Sequence, residues 1–204
     1  MSIIPNKWDS SWNDFMNLPQ NIAELKQIES KIGTNYCPLE QDVLRFLNIN
    51  LNKVKYIVVG MEPYPTIMNG KPIATGRSFE IGNVVSWSEK FKQSSLRNIL
   101  KAIYYNKTGV VESLENVRKY IDIGEFNISP PLEWFNKVEA QGVLFLNASL
   151  TVETDNVGSH TEIWDNFMTN LTKYITENYP DIKWMLWGKD ALNRMSPLID
   201  EDKQ

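Results

Sequence analysis

Cysteine and histidine are almost missing from this chain of 204 residues, which has one of each, Cys37 and His160. A single cysteine excludes an intrachain disulfide and fits a reducing compartment such as the cytoplasm. One of each also leaves too few ligands for a zinc site of the usual composition, so no metal is expected. A Cys37–His160 catalytic pair is formally available, with nothing further in the sequence to favour it. Long apolar runs are missing too, and none approaches the roughly 20 residues that span a bilayer. The opening "MSIIPNKWDSSW" lacks the basic-then-apolar order of a signal peptide. There are no repeats, low-complexity segments or long Gly/Ser linkers. Positive charge is in short supply: 21 Lys and Arg stand against 25 Asp and Glu, a net charge of −4. That argues against broad non-specific nucleic-acid binding, which needs cations to neutralise phosphates. It leaves room for a local basic face, because residues 89–107 carry Lys90, Lys92, Arg97, Lys101 and Lys107 against Glu89 alone.

What is present describes a folded protein. Apolar residues make up 42% and charged residues 23%, and the length suits one domain, 1–204. "VKYIVVG" (54–60), "GVLFLNASL" (142–150) and "IKWMLWG" (182–188) are short apolar runs of the kind that form strands buried on both faces. Helical spacing appears at 8–18, from Pro19 to about 30, at 38–47, at 94–105 with Ser94 or Ser95 as cap, at 160–179, and after Gly188. Strands separated by helices imply an α/β fold with a parallel sheet covered on both faces. Ligands of such sheets bind beyond the carboxyl ends of the strands, where "GMEPYP", "NASLT" and "WGKDA" fall.

Each residue at those exits has two readings. Glu62 precedes Pro63, which restricts its backbone, so it is either a surface loop acid or a carboxylate aimed at a water as general base. Phe79 in "ATGRSFEI" is either a core residue on a short strand or a platform for a planar ligand. Asn147 either ends a strand and caps a turn, or presents the donor and acceptor that a pyrimidine edge requires. His160 in "GSHTEIW" reads most simply as a helix-start residue.

Taken together these pieces resemble the uracil-DNA glycosylase family whose first motif reads Gly-Gln-Asp-Pro-Tyr followed by His or Pro. Here it reads Gly60-Met61-Glu62-Pro63-Tyr64-Pro65. "ATGRSFEI", "QSSLRNILKAIY", "WFNKVEAQGVLFLNASLTVE", "GSHTEIWDNFMTNLTKYI" and "WMLWGKDA" follow in family order, so the resemblance covers about 38–191. It implies a three-layer α/β/α fold with a short central, mainly parallel sheet, and a monomer without metal or cofactor. It implies that the partner is uracil-containing DNA, with the deoxyuridine flipped into a pocket. By motif position Glu62 would serve catalysis, and Met61, Tyr64, Phe79 and Asn147 would bind the base, with Tyr64 crowding the pyrimidine 5-position. Ser95, Ser159 and His160 would meet DNA.

Three departures stand out. Glu62 replaces the family's Asp, and Met61 its Gln. The closing His-Pro-Ser-Pro-Leu-Ser motif, source of a histidine for the uracil oxygen, is not in this chain, whose C-terminal part is expected to be shortened. Alternatives from other classes are a weakened or inactive relative acting as a DNA- or protein-binding module, and a glycosylase for another modified base.

Overall fold

The structure, a computed structural model, describes residues 2–204. In chain order the helices are α1 (Asn13–Met16), α2 (Pro19–Ile32), α3 (Ser94–Thr108), α4 (Leu114–Asp122), α5 (Pro131–Ala140), α6 (Thr161–Asn178) and α7 (Lys189–Met195). The strands are β1 (Tyr36–Cys37), β2 (Tyr56–Gly60), β3 (Ile67–Met68), β4 (Lys71–Pro72), β5 (Val143–Asn147), β6 (Val152–Glu153) and β7 (Lys183–Leu186). The chain divides into two compact units, Met1–Ser78 with Glu139–Gln204, and Phe79–Val138.

The first unit is built on a three-stranded parallel sheet in the order β5-β2-β7. Its strands are the three runs rich in branched and aromatic residues, as expected of a sheet with both faces covered. Alternation sends Ile57, Val59, Leu144, Leu146 and Trp184 into one core with Leu25 and Ile28 of α2 and Trp164, Phe167 and Leu171 of α6. Each such side chain contributes about 1.5–3 kcal/mol by leaving water. Val58 and Phe145 point to the opposite face and are equally buried, so neither face is wet, as three layers require. Pro19 ends the first helical stretch and opens α2 at its first position.

A buried ion pair, Arg77 with Glu139, ties together the places where the chain leaves and re-enters this unit. Ser78 Oγ donates to Val58 O at 3.1 Å and fixes the same exit to the sheet.

In the second unit α3 ends at Gly109, whose φ of 73° is the left-handed conformation that closes helices. Trp87 is buried against Trp134 in an edge contact, and its indole N–H donates to Ser129 O at 2.7 Å. Tyr104 stacks on Tyr120 and meets Phe126 edge-on.

Two sequence expectations fail locally. Residues 38–47 form two 3-10 turns, Glu40–Asp42 and Arg45–Asn48, and no α-helix. Gly76 packs so tightly there that a Cβ would lie 2.1 Å from Asp42 O, and tertiary packing overrides the helical spacing. Neither Ser94 nor Ser95 caps α3: the cap position is Gln93, without a side-chain bond, and both serines lie in the first turn. No helix among the described residues is long and apolar enough to cross a membrane.

Candidate active site

Parallel pairing sets the exits of β2 and β5 side by side, with Gly60 opposite Asn147. The ladder continues past the strands. Ala148 N–H donates to Gly60 O at 2.9 Å and Ser149 N–H to Met61 O at 3.0 Å. Asp155 N–H then reaches Pro65 O at 3.0 Å. The segment after β5 is thereby laced along the Met61–Pro65 turn, although nearly a hundred residues separate them in sequence.

Glu62 sits in that turn, part-buried, and both its carboxylate oxygens lie 3.0 Å from Gly158 N, which donates to them. This bond sets the direction of the acid from outside its own loop. Burial pushes the Glu62 carboxyl above its ordinary value of 4.5, while the Gly158 N–H and the Arg194 charge pull it back and Asp190 adds to the rise. A carboxylate so placed, beyond a strand end and held by one backbone donor, keeps lone pairs for a water.

Tyr64 follows two residues on. Its hydroxyl is enclosed and has no hydrogen-bond partner among the described residues, and burial pushes it up to about 12. The phenol is therefore neutral. Asn147 is 2% exposed at the last position of β5, and its backbone is set by the parallel ladder opposite Gly60.

The loop that supplies Gly158 is itself braced. Trp164 Nε1 donates to Thr151 Oγ1 at 2.7 Å, and Thr151 Oγ1 lies 2.9 Å from His160 Nδ1. Ser159 Oγ accepts from Glu153 N–H at 2.8 Å. His160 caps the start of α6, as its sequence context suggests, but its imidazole is buried (6% exposed) and faces inward. The ring is held at Thr151 Oγ1, at the turn that opens α6. Burial also lowers its pKa below 6.5, with Glu153 opposing.

Phe79 and Ser95 belong to the second unit. Phe79 is half-buried at a bend, on no strand, and adopts φ 68°, a conformation that is a genuine outlier for a bulky side chain. Such strain persists where placement matters. Ser95 is half-buried in the first turn of α3.

Sequence reasoning singled out Ser159 and His160 but missed Gly158 beside them. The available signal was the glycine itself, whose φ of 80° lets the turn present its N–H to Glu62. It also missed Thr151, Trp164 and Arg194, which carry no motif.

No family model matches the chain. A probable uracil-DNA glycosylase of Acanthamoeba polyphaga mimivirus is 24% identical over 204 residues, 94% of this chain and 48% of that protein. The uracil-DNA glycosylase of Campylobacter concisus is 28% identical over 204 residues, covering 97% of this chain and 76% of the relative. The chain is similar over nearly its whole length to these uracil-DNA glycosylases. The likeness is distant, and the chain spans about half the length of the mimivirus relative. The fold agrees: a crystal structure of a mimivirus UNG variant in complex with UGI superposes with a TM-score of 0.72 at 22% identity, over 96% of this chain and 67% of that one. The α/β/α class expected of the family is thus the class of this chain.

Proposed function

We propose that this chain, acting as one monomeric domain in the cytoplasm, removes uracil from DNA by hydrolysing its N-glycosidic bond. The observation that carries the reading is Glu62: an acid at the carboxyl end of the central strand, aimed by Gly158 N–H, with Tyr64 and Asn147 at the same strand exits. The deoxyuridine leaves the stack before reaction, at a cost of a few kcal/mol. Asn147 reads the uracil edge with its amide, the backbone at Met61 lies against the base, and the bulk of Tyr64 excludes a 5-methyl group. Phe79, in the second unit, stands at the motif position of the family's stacking residue. Ser95, in the first turn of α3, and Ser159, at the turn before α6, approach DNA phosphates.

The chemistry follows from the carboxylate. As the bond between C1′ and uracil N1 breaks, positive charge grows on the sugar and negative charge on the base. Glu62 stabilises the first and orients a water whose oxygen joins C1′, accepting its proton. The released uracil anion takes up a proton from solvent while Glu62 gives its own back to solvent, so uracil leaves and the carboxylate is restored. Glutamate in place of the family's aspartate extends the reach by one methylene, and the Gly158 bond takes up that length.

The test is incubation of the purified chain with single-stranded oligonucleotides bearing uracil, thymine or hydroxymethyluracil, followed by alkaline cleavage of abasic sites. Cleavage confined to uracil is expected. No uracil-dependent product from a chain shown to be folded by circular dichroism overturns the reading, and cleavage at hydroxymethyluracil instead would redirect it to another modified base.

A further inference from the structure

The turn that grips Glu62 is gripped in its own right from α7. Gly158 donates its N–H to Glu62, and its carbonyl accepts from Thr161 N–H at 3.2 Å. Thr161 O in turn accepts from Arg194 Nη2 at 2.9 Å, and the same nitrogen pairs with Asp165 of α6. Three successive hydrogen bonds thus connect the acid to a guanidinium in the last turn of α7. Both recorded bonds use Nη2. Nη1 is buried and has no hydrogen-bond partner among the described residues. A buried guanidinium nitrogen left unpaired is costly and calls for an anion.

We propose that Arg194 is a positioning residue for Glu62, fixing the turn that aims the acid and standing as its cationic counterpart so that it works as a carboxylate. The inference rests on the uracil-excision reading for its catalytic meaning and on the hydrogen-bond chain for its geometry. The charge balance points the same way: Arg194 favours the ionised form of Glu62, and the exposed Asp190, one turn earlier on α7, opposes it. From α6 the facing charge is Asp165, which acts through Arg194. The loop after β5 presents the neutral Gly158 N–H, while Glu153 there acts on His160. Tyr64 in the same turn is neutral up to about 12.

The experiment follows the Glu62 carboxyl directly by carbon NMR through a pH titration, beside the pH profile of uracil release. The parent chain is compared with Arg194→Met, Arg194→Lys and Asp190→Asn. Removing the cation should move the Glu62 midpoint to higher pH, Lys should restore most of it, and Asp190→Asn should move it to lower pH. Activity that needs the carboxylate is lost as pH falls through the midpoint, so the acid limb should follow, with about a tenfold change per pH unit on that limb. Opposite displacements from two positions on one helix are not produced by a merely structural role. A midpoint unmoved by both Arg194→Met and Asp190→Asn overturns the inference. Should Arg194→Met fail to fold, Arg194→Gln, which keeps a donor for Thr161 O without the charge, decides by the same displacement. Absence of uracil release by the parent defeats the excision reading alone, because the titration is read without substrate.

Discussion

Glutamine at position 62 keeps an oxygen within reach of Gly158 N–H and removes the charge. The two consequences have opposite signs. Burial raises the folded-state pKa of Glu62 above 4.5, so its contribution to stability is fully present below that value and is lost as pH rises through the raised one. At neutral pH the ionised side chain is therefore a burden on the fold, and Glu62→Gln should melt at the same temperature as the parent or higher. Catalysis should move the other way. General-base action is worth about 10²–10⁴ in rate, which corresponds to about 2.7–5.4 kcal/mol of barrier. The assay is single-turnover excision of uracil from a labelled oligonucleotide at saturating protein, with the melting curve taken on the same preparation. Activity within tenfold of the parent would show that another group is the acid. Lost activity together with a lowered melting temperature would mean that Glu62 holds the fold, and the catalytic assignment would have no support from the variant.

Three further outcomes are expected. Tyr64→Ala should admit thymine, read as alkali-sensitive cleavage at thymine positions, because the ring acts by bulk; continued rejection of thymine would place the size filter elsewhere. Gly76→Ala should cost about 3 kcal/mol or more by chemical denaturation, since φ is +83° and the new Cβ would meet Asp42 O at 2.1 Å. His160 is held with a lowered pKa, so the stability it contributes is present above its ordinary 6.5 and is lost as pH falls through the folded value. His160→Gln should flatten the stability profile in that window, and an unchanged slope would exclude the buried imidazole as its source.

The parts of the fold legible in the sequence are those with strong local patterns. "YIVVG", "VLFLN" and the run around Trp184 are apolar and rich in β-branched or large side chains, and they became β2, β5 and β7. Helical stripes likewise announced α3, α6 and α7. The two-residue ladders β1 with β6 and β3 with β4 are too short to show a period, and only tertiary pairing defines them. α4 went unread although Leu114, Val117, Tyr120 and Ile121 fall at helical spacing, because the segment is only 9 residues long and buries Val117 alone. The 38–47 stretch has the stripe but yields to the close approach of Gly76. At the candidate site, Glu62 and Asn147 could be named because they stand at strand exits, and Tyr64 because of its place in the motif that resembles the glycosylases'. Gly158 and Arg194 could not, because their roles consist of one N–H and one buried nitrogen across a distance in sequence that no local pattern records.

The central claim is that this chain hydrolyses the bond between uracil and deoxyribose with Glu62 as its acid. Its most direct test is mass spectrometry of the products from uracil-containing single-stranded DNA in water enriched in oxygen-18. The account predicts free uracil and an abasic sugar carrying the heavy oxygen, both abolished by Glu62→Gln. Intact substrate after prolonged incubation with the folded parent chain, or equal release by Glu62→Gln, would contradict it.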